Sequence, residues 1–175
     1  MKFLIQAILV ILAAAVSTTS MAQSFGISAG KADVEGVDDT SFSLSGQIGI
    51  NENLSFEIAY NDFGGTEGWI YFNGSNEYIS VEASSIDFAF VASTKVSDSV
   101  SLFGKLGFAM WDIDVSSTIG SGSVDGTDLT FGLGALIHIQ EGINAELKWQ
   151  RYDVEVVNGI GADLDNMSIG LRIDL

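Results

Sequence analysis

The chain has 175 residues, 47% of them hydrophobic, with 20 Gly and neither Pro nor Cys. That length suits one domain, and the absence of Cys excludes disulfides, thiolate metal sites and a cysteine nucleophile. Asp plus Glu number 23 against 7 Lys plus Arg, a net charge of −16 that leaves no basic face for nucleic acid. The mean hydropathy is nonetheless +0.33, so acid and grease must be segregated along the chain.

The segregation begins at the N-terminus. Met1-Lys2 is followed by an apolar run from Phe3 to Val16, then by Ser20-Met21-Ala22, with small residues at the −3 and −1 positions. This layout predicts a secretory signal peptide, residues 1–22, cleaved after Ala22. The apolar run is ~14 residues, short of the ~20 that a membrane-spanning helix needs. The remainder, residues 23–175, is expected to fold as one domain.

From Gln23 onward the hydrophobic period is two. Phe25, Ile27 and Ala29 alternate with Gly26, Ser28 and Gly30. Phe42, Leu44, Ile48 and Ile50 alternate with Ser43, Ser45, Gln47 and Gly49. The same pattern recurs around Leu54–Tyr60, Ile86–Ala92, Val100–Met110, Phe131–Ile139, Ile143–Trp149 and Met167–Leu175. Each segment is roughly ten residues, the length of a tilted strand crossing a bilayer. Asn51–Asn53, Val96–Ser99 and Gln140–Gly142 predict short turns. Asp33–Thr40, Asp62–Ser84, Asp112–Thr130 and Tyr152–Asn166 predict long loops. Short turns on the periplasmic side and long extracellular loops are the asymmetry of transmembrane barrels. An even strand number then puts both termini in the periplasm.

Alternation alone does not say which face is inside. In a soluble barrel the water-facing positions carry Lys, Glu, Arg and Thr. Here they are mostly Gly, Ser and Ala, which suit the tight interior of eight strands, and the opposite face is bulky and almost uncharged. The reading is all-β: an eight-stranded antiparallel up-and-down transmembrane β-barrel with its apolar face on lipid. Closure satisfies every backbone group there.

Leu54-Ser-Phe-Glu-Ile-Ala-Tyr60 followed by Asp62-Phe63-Gly64, Ser101–Trp111, Ile143–Gln150 and Ser168-Ile-Gly-Leu-Arg-Ile-Asp-Leu175 together resemble the OmpA/OmpX-like small outer-membrane beta-barrel proteins of Gram-negative bacteria. The last segment matches their closing pattern in spacing, with Ile173 and Leu175 where aromatics are usual. The resemblance implies a C-terminal assembly signal at Leu171, Ile173 and Leu175. It also implies the barrel-assembly machinery and periplasmic chaperones as partners during biogenesis. Outer-membrane lipids and lipopolysaccharide would be the standing neighbours of a monomer. No peptidoglycan-binding domain follows the last strand, so wall anchoring is not expected.

Glu57, Lys105, Glu146, Lys148 and Arg172 all fall on the inward parity, each ~10–16 Å from the short-turn end at ~3.3 Å per residue. Equal depth and mixed sign predict one interior charge cluster, since isolated charges there would be costly. In the resembling family such a cluster plugs the lumen.

Catalytic readings are thin. His138 is the sole His, and it falls near a short turn with Gln140, not Ser, two residues beyond. Lipid A deacylases use His, Ser and an acid near the outer rim, so no catalytic residue is expected. Acid concentrates in the long loops: Asp33, Glu35, Asp38 and Asp39; Glu67, Glu77 and Glu82; Asp112, Asp114, Asp125 and Asp128; Asp153, Glu155, Asp163 and Asp165. Asp112-Ile-Asp114 and Asp163-Leu-Asp165-Asn166 offer hard oxygen ligands but lack the Gly and Glu of an EF-hand. They are read as solvated surface, with no metal and no cofactor. Trp69, Tyr71, Phe72 and Tyr78 make the second loop aromatic. Trp69 and Tyr71 are expected in the outer aromatic girdle with Tyr60 and Trp149, the alternative being a contact patch for another surface. Ser116–Gly126 reads as a flexible tip. The expected function is non-enzymatic: envelope integrity or surface interaction. The alternative is a narrow gated channel or small-solute barrel opened by rearrangement of the charge cluster.

Overall fold

The computed structural model describes residues 23–34, 37–72, 75–118, 120–157 and 160–175. The expected signal peptide, Glu35 and the side chains of Phe72, Glu77 and Glu155 lie outside the described residues. Eight strands follow in order: β1 (Gln23–Val34), β2 (Val37–Asn51), β3 (Leu54–Phe72), β4 (Ser75–Ser97), β5 (Val100–Ser117), β6 (Gly120–Gln140), β7 (Ile143–Val157) and β8 (Ile160–Asp174). Each pairs antiparallel with its neighbours, and β1 pairs with β8 to close the barrel. The short turns fall at 52–53, 98–99 and 141–142.

Parity sorts the side chains. Leu106 and Leu133 are each 61% exposed on the outer face, while Ser41, Ser43, Ser45, Ala59, Ala89 and Ala109 are buried in the lumen. Where β5 turns a bulky ring inward, β6 answers with glycine. Phe103 is paired with Gly134 and Trp111 with Gly126. A Cβ on either glycine would come within 2.3 Å of the facing ring.

The long loops of the sequence reading are largely strand. β3 has 19 residues, β4 has 23 and β6 has 21, about twice what a bilayer requires. β3 and β4 stay paired to Phe72 and Ser75, interrupted by a bulge between Asp62 and Gly65. The bulge is fixed by Gly64, with φ +78°, whose N–H donates to Asp62 Oδ1 at 2.9 Å. Any Cβ there would meet the Thr40 carbonyl at 2.7 Å. Ser116–Gly126 is likewise no flexible tip. Ser116 and Ser117 end β5, and Gly120–Gly126 open β6 in register with it.

Beyond the barrel rim the strands part company. β2 leaves β3 after Phe42 and Asp62, and β6 leaves β7 after Thr130 and Tyr152. β3 to β6 therefore continue as a four-stranded blade, while β7, β8, β1 and β2 form shorter hairpins.

Candidate functional site

The lumen is filled in three layers. Nearest the short turns, Lys105 Nζ donates to Glu57 Oε1 at 2.8 Å, and Arg172 Nη2 to Glu57 Oε2 at 3.1 Å. Arg172 Nε reaches Glu146 Oε2 at 2.7 Å, and Lys148 Nζ lies 4.0 Å from Glu146 Oε1. Gln47 Nε2 adds a bond to Glu57 at 2.8 Å. The five charged residues picked from inward parity are thus brought together, all buried. Arg172 bridges the two carboxylates.

The second layer has no equal-depth signature in the sequence pattern. Its centre is Asp87, fully buried. Asp87 accepts from Ser85 Oγ at 2.7 Å, Gln150 Nε2 at 2.8 Å and Tyr152 OH at 3.0 Å. Gln150 also donates to Thr130, and Ser43 links to Ser85 through Asn61. Asp87 carries the inward parity that marks the other charges, but it lies deeper from its turn, so equal depth did not select it. With it, the buried charges among the described residues balance: Glu57, Asp87 and Glu146 against Lys105, Lys148 and Arg172. Neutrality is what a low-dielectric interior demands.

The third layer is apolar. Ala32, Phe63, Ala109, Trp111, Tyr152, Val154 and Leu164 pack as one cluster. Phe63 meets Tyr152 edge-to-face with centroids 5.0 Å apart, and Trp111 Nε1 donates to Asp128 Oδ2 at 2.7 Å. Phe63, Tyr152, Leu164 and Asp128 fall in segments whose pattern predicts loop, so this plug is not visible in the sequence. A void of about 30 Å³ remains beside it, roughly one water.

The other sequence candidates fall elsewhere. His138 is exposed at the short-turn end of β6, opposite Asn144. Leu171, Ile173 and Leu175 face outward and are exposed. Among the described residues no three His, Asp or Glu side chains converge as a metal site. Asp163 and Asp165 flank Arg151, at 3.5 and 2.6 Å. Asn166 is buried against Ser41 at 2.7 Å, so it does not join those two aspartates in one ligand set. Trp149 stays beside the rim, edge-to-face with Phe131 and 5.6 Å from Arg151. Trp69 and Tyr71 are not girdle residues. They lie about 30 Å of strand beyond Tyr60 at ~3.3 Å per residue, 69% and 76% exposed on the blade. Trp69 instead packs edge-to-face on Tyr78 at 5.3 Å. A hydrogen bond to Glu67 holds the Tyr78 phenol above its usual pKa.

A closed eight-stranded barrel with lipid-suited residues outside and ions inside is a membrane protein in architecture. A family model described as an outer membrane protein beta-barrel domain matches residues 7–175. The chain belongs to that family. This outer-membrane barrel is similar in fold to OprG of Pseudomonas aeruginosa, with a TM-score of 0.60 and 11% identity over 89% of this chain and 95% of that one. It is similar to Neisserial surface protein A, at 0.59 and 12% over 89% and 97%. It is also similar to Ail, the attachment invasion locus protein of Yersinia pestis, at 0.57 and 16% over 89% and 97%. Identities this low carry the fold alone. No curated protein matches the sequence.

Proposed function

We propose that this barrel is a non-enzymatic, non-conducting outer-membrane protein that contributes to envelope integrity and displays an acidic blade at the cell surface. The observation that carries this reading is the triple closure of the lumen: an ion layer, a hydrogen-bonded layer centred on Asp87 and an apolar plug. Eight strands leave an interior that side chains just fill, and each layer would have to move for an ion to pass. The purified protein in planar bilayers should show no openings across salts and voltages. Stepwise openings would favour the gated-channel alternative, in which Arg172 exchanges carboxylate partners.

In this reading the short turns and both termini are periplasmic, and the long hairpins face outward. Protease added to intact cells should then cut only in the hairpins. Outer-membrane lipid and lipopolysaccharide surround the apolar band of a monomer. The barrel-assembly machinery and its chaperones would read the outward Leu171, Ile173 and Leu175 during insertion. A His138→Ala variant should leave lipid A unchanged. Ail has been solved with the heparin analogue sucrose octasulfate. The blade here carries carboxylates, so a polyanion is a poor ligand for it.

A further inference from the structure

The outward face of the blade holds a cleft that neither the lumen nor the lipid contact uses. Two cross-strand rows build it: Ser80, Ser116 and Ser121, and beside them Glu82, Asp114 and Ser123. Directly opposed residues in an antiparallel pair share a face, so all six side chains point the same way. They line a cleft of about 460 Å³, within the range of small-molecule sites. The first row runs on to Glu67, and the Trp69–Tyr78 pair stands on the next row toward the tip.

The chemistry of the lining selects a ligand. Serine hydroxyls donate and accept, whereas carboxylates only accept, so the surface favours a molecule rich in O–H and N–H donors. Among the described residues Lys and Arg are absent from the lining, which disfavours phosphate and sulfate. Glu82 and Asp114 face each other directly across β4 and β5, an arrangement of like charges that destabilises a sheet and that a bound cation relieves. The exposed Trp69 ring, one row beyond the serines, accepts the C–H faces of a sugar.

We propose that this cleft binds an amine-bearing oligosaccharide, one ammonium between Glu82 and Asp114 and a further sugar ring of the same chain on Trp69. The inference rests on the display reading for where the cleft faces. Binding in detergent is read independently of sidedness and conductance, so either can fail alone.

The test is titration calorimetry of the detergent-solubilised protein with a glucosamine tetramer. The N-acetylated tetramer serves as neutral control and spermine as non-sugar polycation. The glucosamine tetramer should bind about tenfold tighter than either control. Glu82→Gln combined with Asp114→Asn should abolish that preference. Trp69→Ala should weaken both saccharides and leave spermine unchanged. Ser123→Leu, which fills the cleft without touching charge, should weaken saccharide binding if the double variant fails to fold. Equal binding of spermine with no effect of Trp69→Ala overturns the proposal, as does the absence of saturable tetramer binding. In nanodiscs, an amino-sugar glycolipid that competes with the tetramer supports the cleft with a membrane-borne source. A glycolipid that does not compete, with the tetramer still bound, supports it with a soluble source.

Discussion

Replacing Arg172 by Met removes the cation that bridges both interior glutamates while keeping most of the side-chain volume. Glu57 keeps Lys105 and Gln47, each at 2.8 Å. Glu146 keeps only the looser approach of Lys148 at 4.0 Å. The damage therefore concentrates on one carboxylate, left buried without its partner at 2.7 Å. Stranding a buried charge in this way costs about 3–5 kcal/mol. Urea unfolding in lipid vesicles, followed by tryptophan fluorescence, reads this as a fall in the transition midpoint. The companion variant adds Glu146→Gln, which removes the stranded charge and restores neutrality. It should recover about 2–3 kcal/mol of the loss, within the range of coupling seen for contacting residues. An Arg172→Met midpoint within about 1 kcal/mol of the parent, or a double variant as damaged as the single, would refute the account of the cluster as a mutually dependent network.

Trp111→Ala should cost about 3–5 kcal/mol by emptying the apolar plug, yet leave planar-bilayer conductance at zero because the two polar layers remain. Gly126→Val approaches the same ring from β6 and should cost about 1–3 kcal/mol by overpacking, with a shift in tryptophan emission. Leu133→Arg, on the lipid face, should cost about 2–4 kcal/mol if its level is near the bilayer midplane; a neutral effect in vesicles would invert the assignment of faces. Burial, then the carboxylates Asp114 and Asp125, holds the Asp112 carboxyl above its ordinary pKa. The fold thus favours protonated Asp112, and that contribution is lost as pH rises through the raised value. Asp112→Asn should raise the urea midpoint at neutral pH, with the gain shrinking as pH falls toward the ordinary aspartate range.

Much of the barrel is legible without coordinates because lipid and lumen impose opposite demands on adjacent residues. Alternation at Phe88–Asp87 or Leu147–Lys148 is a direct imprint of that boundary, and it placed the turns and the five ion-layer residues on the correct face. Outside the membrane the imprint fades. On the blade, Val81, Ala83, Ile113 and Val115 still interleave with Ser80, Glu82, Asp114 and Ser116, but small and acidic side chains stand where bulky lipid-facing ones stood. Those stretches therefore read as loops.

What the sequence determined by itself was the period, the strand number and the polarity of each face, since these follow from residue-by-residue exposure to hydrocarbon. Tertiary structure alone decided which inward residues meet across the lumen. Asp87 reaches Gln150 and Tyr152 from the far wall, and Phe63, the last inward residue of β3 before the Gly64 bulge, meets the ring of Tyr152. Those contacts depend on the register of all eight strands at once, which no local pattern contains.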